Sequence, residues 1–209
     1  EGTWLLSGTE PGAGAIFGTV TISAGASPDD VTTQVNYRYA RTGRQVAREG
    51  RATTFTGFQW RGRTTAGGDP DTTLREVMHV ERDWQSIAGR WFTGDYDELG
   101  ADVTLRRIGR EPVVAGLDRT AARQGATQTL RIFGANFPAG LTTRDVDFGP
   151  GVTVTGVTEA SSSVVTVEVT VAANAATGAR DLFLAGALHR DALVVYDRVH
   201  YIKVTPGWN

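Results

Sequence analysis

The chain has 209 residues and a mass of 22.3 kDa, enough for two ordinary domains or one large β domain with a self-sufficient core. Its 40% hydrophobic and 21% charged residues are those of a chain that folds, and its formal net charge of -2 comes from signs mixed evenly along the sequence. The even mixing gives no basic face for a phosphate backbone and argues against nucleic acid, while the absence of cysteine excludes disulfides, thiolate zinc, cysteine nucleophiles and a CxxCH-attached haem within these residues.

No apolar run approaches the ~20 residues of a helical membrane span, and none is expected. The opening "EGTWLLSGTE" has neither the basic start nor the apolar centre of an export signal, which is expected to be removed or absent here. Of the basic residues only Lys203 is a lysine, so arginine pairs with surface carboxylates are expected.

From the N-terminus onward, apolar and polar residues alternate with the period of half-buried strands. "GTVTIS" places Val20 and Ile22 on one side, and "TQVNYRYA" does the same with Val35, Tyr37 and Tyr39. In "LREVMHVERD", His79 falls with Val77 and Glu81, opposite Met78 and Val80. "ADVTLRR" turns Val103 and Leu105 one way. Glycines punctuate these runs as tight turns do. The segment 1–110, which holds Trp4, Trp60, Trp84 and Trp91, reads as about eight strands, enough to close an antiparallel β-barrel.

A change of texture at "IGREPVVAG", with Pro112 as a strand breaker, divides this segment from 111–209. The second segment is rich in Val, Thr, Ala and Gly. In "SVVTVEVTV", Val165, Val167, Val169 and Val171 oppose Thr166, Glu168 and Thr170. About seven short strands over ~100 residues predict a sandwich of two antiparallel sheets. The fold class is all-β, with single turns of helix expected at most around Asp83 to Ser86 and Leu141 to Arg144.

Candidate sites are few. "GDYDELG" gathers Asp95, Asp97 and Glu98, part of the oxygen set a calcium loop needs, but no later glutamate completes the shell. A hairpin accounts for the same residues, with Asp97 starting the turn and Gly100 supplying a positive φ or a bulge. His79, His189 and His200 are isolated in sequence and split between the two segments, so a shared metal site is not expected. "EASSSVV" reads as a turn whose serines satisfy backbone groups, since no GxSxG elbow is present. "PGAGAIFG" leads into a strand, not the helix N-terminus that a phosphate loop requires. The aromatic stretches "FQWRGR" and "DWQSIAGRWF" carry more information. Trp60, Trp84 and Trp91, with Arg61 and Arg90, either line a sugar- or ligand-binding face or fill and cap the barrel with arginines over the rings.

The blocks "GTWLLSGTEPGAGAIFG", "FTGFQWRGR", "LREVMHVERDW" and "GRWFTGDYDELGADVTLRR", in that order and spacing, resemble the second domain of the alpha subunit of quinohaemoprotein amine dehydrogenase. The stretch from "EPVVAGLDRTAARQGATQTLRIFGANFPAG" to "RVHYIKVTP" is similar to the immunoglobulin-like third domain of that subunit, with Gly134, Asn136 and Phe137 marking a bend. The resemblance implies a periplasmic oxidoreductase complex. Its haem c groups sit in a cytochrome domain, and its tryptophylquinone in the gamma subunit. None of those centres maps onto this chain, so no catalytic, cofactor-binding or metal residue is carried over. What it implies for these residues is support: β domains packed against the cytochrome domain and the beta and gamma subunits. The turn in "GDYDELG" belongs to the family's sequence as well.

Overall fold

A computed structural model describes residues 1–93 and 100–197. Eight antiparallel strands close into a barrel: β1 (Gly2–Glu10), β2 (Gly14–Ala24), β3 (Asp30–Tyr39), β4 (Gln45–Phe55), β5 (Gln59–Ala66), β6 (Asp69–Val80), β7 (Ser86–Thr93) and β8 (Ala101–Arg107). Each pairs with the next, and β8 returns to β1 through Trp4 opposite Arg107 and Leu6 opposite Leu105. Closure leaves no free sheet edge.

Alternation decides what fills the barrel. Leu6, Ile16, Val20, Val35, Tyr37, Trp60, Met78, Ile87, Trp91, Val103 and Leu105 point inward and form one buried cluster. Aromatic rings of this size leave little room at the axis, so some inward positions are glycine. A Cβ on Gly89 would collide with the Val77 carbonyl oxygen and come within 2.5 Å of Met78 Cα. These are backbone atoms of the adjacent strand, which cannot step aside.

The second body is a sandwich. One sheet has the order β13 (Val152–Ala160), β14 (Val164–Val171), β11 (Thr127–Ala135), β9 (Val113–Leu117). The other runs β10 (Ala121–Arg123), β16 (Ala187–Tyr196), β15 (Gly178–Leu184), β12 (Val146–Asp147). The core between them is built from Leu130, Ile132, Phe148, Val165, Val167, Val169, Leu182 and Leu193. The antiparallel expectation has one exception: β10 runs parallel to β16, pairing Ala121 to Arg123 with Val194 to Tyr196. The single helical element among the described residues is a 3-10 turn, Thr143–Asp145, capped by reciprocal hydrogen bonds between Thr142 and Asp145. Those bonds hold the Asp145 carboxyl below the usual carboxylate range. Around Asp83 to Ser86 the chain makes a turn, not a helix.

The two bodies meet through aromatic and apolar surface. Phe17 on the outside of β2 stacks on Phe133 of β11 with ring centroids 5.3 Å apart, and Ala40 and Val164 are buried beside them. The Arg131 guanidinium bonds Asp118 at 3.2 Å and also donates to the Arg41 carbonyl of the barrel, again at 3.2 Å. Asn136, at φ +59°, donates its side-chain amide to the carbonyls of Gly109 and Glu111 at 2.9 and 3.1 Å. That amide ties the segment joining the bodies to the bend after β11.

Candidate functional site

Two sets of hydrogen bonds join polar groups inside the barrel, one at Glu76 and one at Arg48. Glu76 on β6 shares its inward face with Met78 and Val80 and is 3% exposed. Trp60 Nε1 donates to Glu76 Oε2 at 2.7 Å. Arg48, from β4, donates through Nε to Thr64 Oγ1 at 3.1 Å and through Nη2 to the Thr64 carbonyl at 3.2 Å and the Thr72 carbonyl. Burial pushes the Glu76 carboxyl up to about 7, against the pull of the Trp60 hydrogen bond and the Arg48 charge. Gly62, directly opposite Glu76, leaves room for the carboxyl: a Cβ there would lie 2.5 Å from Oε2.

At one mouth of the barrel, Tyr39 donates its hydroxyl to Glu10 Oε2 at 2.6 Å, and its ring stands edge-on to Tyr37 with centroids 5.6 Å apart. Burial, then the Glu10 hydrogen bond, drives the Tyr39 phenol well above its ordinary range. Tyr37, Tyr39, Arg48, Leu74 and Trp91 border a cavity of about 480 Å³. Trp91 Nε1 is buried and makes no hydrogen bond among the described residues.

The sequence-predicted ligand residues separate into two environments. Trp60 and Trp91 are both 3% exposed and lie in the barrel core. Arg61 and Arg90 are exposed on the outer face, where Arg90 pairs with Asp102 at 2.8 Å and lies 5.7 Å from the Phe92 ring. Trp84 is 53% exposed at a barrel end, 5.7 Å from Phe58, which stacks in turn on His79 at 6.2 Å. The structure thus places no single ligand face across the five. Asp95, Asp97 and Glu98 lie outside the described residues, as does His200. Among the described residues no three His, Asp or Glu side chains gather as metal ligands. Ser161 caps a turn, its Oγ accepting from the Val164 amide at 3.0 Å.

Strand register, which the linear sequence does not display, brings basic residues together. Arg51 of β4 stands opposite Arg63 of β5, Arg63 opposite Arg75 of β6, and Arg75 opposite Phe92 of β7. One row along, Arg61 and Arg90 flank Val77. The outward parity of "RGR" and of Arg75 was readable from alternation; their juxtaposition required the pairing.

The fold and its side chains define a tandem of a closed eight-stranded barrel and a two-sheet sandwich joined by a pinned linker. Residues 1–108 match the family model for quinohemoprotein amine dehydrogenase, alpha subunit domain II, and residues 111–197 match that for alpha subunit domain III. The chain belongs to the quinohemoprotein amine dehydrogenase alpha subunit family, through these two domains in order. No curated protein matches it. Among solved structures it is similar to a redesigned β-barrel, at 16% identity and TM-score 0.43 over 52% of this chain and 90% of that one. It is also similar to a de novo fluorescence-activating β-barrel, at 18% identity and TM-score 0.41 over 51% of this chain and 92% of that one.

The family name implies haem and quinone in the complex. The residues present do not fit covalently attached haem: its thioether attachment needs cysteine, which the chain lacks.

Proposed function

We propose that this chain is a non-catalytic structural and subunit-interaction segment of a periplasmic quinohaemoprotein amine dehydrogenase, divided into domains at 110/111. It supports amine oxidation and electron transfer carried out at haem c and tryptophylquinone centres outside these residues. Its partners are the cytochrome domain and the beta and gamma subunits. The observation that carries this reading is the continuous pair of family matches, 1–108 then 111–197, on two β bodies clamped together by Phe17–Phe133, Arg131 and Asn136. A rigid pair of this kind suits a part that fixes distances between other centres. Affinity purification of the native polypeptide containing these residues tests it. Amine-dependent reduction of an electron acceptor should copurify with that polypeptide, and the 209-residue chain by itself should have none. Turnover by the isolated chain contradicts the reading, as does a native complex without amine oxidation.

A second reading, an exported ligand- or carbohydrate-binding module, is favoured by the 480 Å³ cavity at the barrel mouth and the Trp91 indole N–H, which has no hydrogen-bond partner among the described residues. Calorimetry against glycan and lipid panels tests it, and saturable binding abolished by Trp91→Phe supports it. That substitution removes the donor and keeps the ring, whereas Trp60→Phe should leave such binding intact.

A further inference from the structure

Two charged side chains are buried among the described residues, Glu76 and Arg48, and only one of them can shed its charge. A buried carboxyl does so by keeping its proton, whereas a guanidinium stays ionised at any pH the fold survives. Arg48 shares the inward parity of Gly50 and Ala52 on β4 and is 7% exposed. Its Nε and Nη2 donate to the Thr64 hydroxyl and to the Thr64 and Thr72 carbonyls, all of them neutral acceptors. Among the described residues no carboxylate stands at ion-pair distance from it. Those hydrogen bonds solvate the group but leave its charge unbalanced in the interior, a condition that an anion relieves.

A second donor faces the same space. Trp91 on β7 is 3% exposed, and its indole N–H has no hydrogen-bond partner among the described residues. A buried donor left unpaired is costly, and an acceptor brought to it removes that cost. Arg48 and Trp91 both border the cavity of about 480 Å³ at the barrel mouth. Arg48 reaches across β5 to the Thr72 carbonyl of β6, the strand that pairs with β7, so its guanidinium comes to the neighbour of the strand carrying Trp91. Much of the remaining wall is apolar or aromatic: Ile16, Leu74, Tyr39 and Tyr37, whose ring centroid lies 5.9 Å from that of Trp91. Glu10, which accepts from the Tyr39 hydroxyl, and the exposed Asp71 also border the cavity. A ligand with a second negative charge would meet these two acids. Donors of this kind call for one carboxylate, and walls of this kind for an apolar body.

We infer that the barrel-mouth cavity is a binding site for a small monocarboxylate with an apolar body, with Arg48 and the Trp91 indole N–H as the donors to its carboxylate. This rests on the ligand-binding reading above and names the chemical class of ligand that the cavity takes.

Calorimetric titration of the full 209-residue chain with phenylacetate and with phenylacetamide, its uncharged counterpart of similar shape, tests it. Phenylacetate should bind saturably and about tenfold or more tighter than the amide. Phenylmalonate, with a second carboxylate on the same body, should bind more weakly than phenylacetate. Trp91→Phe should lose phenylacetate binding and Trp60→Phe should keep it. Arg48→Gln, if it unfolds cooperatively like the parent, should bring acid and amide within about twofold of each other. If that variant does not fold, the parent's preference between the two probes decides the matter. Four results overturn the inference: no saturable phenylacetate binding, an amide bound as tightly as the acid, phenylmalonate bound more tightly, or a folded Arg48→Gln with the parent's preference. A neutral glycan or lipid that binds the parent but not Trp91→Phe, with acid and amide bound equally, would sink the carboxylate and leave the ligand-binding reading standing. Absence of binding by every one of these probes would end both.

Discussion

Inside the barrel the indole N–H of Trp60 donates to the Glu76 carboxyl at 2.7 Å, across two adjacent strands, with both residues 3% exposed. The bond satisfies one carboxyl oxygen but does not make ionisation favourable, because burial raises the Glu76 carboxyl from 4.5 to about 7. Near pH 4 the group is protonated in folded and unfolded chain alike and contributes nothing to the pH dependence. As pH rises from 4.5 to about 7 the unfolded chain releases its proton first, so folding stability falls across that window and levels off above it. The loss is on the order of 3 kcal/mol. Glu76→Gln keeps an acceptor for Trp60 and should flatten the window, unfolding at a higher denaturant midpoint than the parent at about pH 8 and near the parent at about pH 4. A variant with an unchanged pH slope contradicts this.

The close approach of β6 to β7 at Gly89 gives a second expectation. Gly89→Ala puts a methyl against the Val77 carbonyl oxygen and 2.5 Å from Met78 Cα, both fixed by the ladder. The barrel should lose about 1–3 kcal/mol, read as a lower chemical-denaturation midpoint with the Trp fluorescence of the barrel as probe. An unchanged midpoint shows that the strands can separate there at no cost.

Much of this interior was legible beforehand. Alternation in "TQVNYRYA" predicts Val35, Tyr37 and Tyr39 inward, and all three are 6% exposed or less. The all-β class and the eight-strand closure follow from the same period. Glu76 shares the parity of Met78 and Val80, yet a carboxylate in that position is not read as interior without knowing that Gly62 faces it. The arginine ladder was hidden for another reason: its members lie 12 residues apart in sequence and meet only through register, Arg51 with Arg63 and Arg63 with Arg75. The parallel β10–β16 pair was hidden too, since three residues carry no usable period.

Coupling between the bodies should depend on Phe17. Its ring lies against Gly116 so closely that a Cβ there would come within 2.5 Å of it, and it stacks on Phe133. Gly116→Ala should displace the ring, and Phe17→Ala should remove it. In calorimetry either change should split one cooperative unfolding transition into two, with the stack itself contributing about 1 kcal/mol. A single transition at the parent temperature contradicts the coupling.

Asn136 makes a separable contribution. Asn136→Ala removes both amide hydrogen bonds to Gly109 and Glu111 and leaves a residue with a Cβ at φ +59°, so a loss of about 1–3 kcal/mol is expected. Asn136→Gly relieves the backbone but not the hydrogen bonds. Faster hydrogen exchange across 108–112 in both variants is the sign that the amide pins the linker, and unchanged exchange there is the sign that it does not.

The central claim is that the chain supports redox centres held by other residues. The native polypeptide containing this sequence, purified from its source and analysed by absorbance and by peptide mass mapping, tests this most directly. A haem c absorbance band should be present, with every haem-bearing peptide mapping outside the 209 residues. A native polypeptide without haem, or haem carried on a peptide within these residues, contradicts the account.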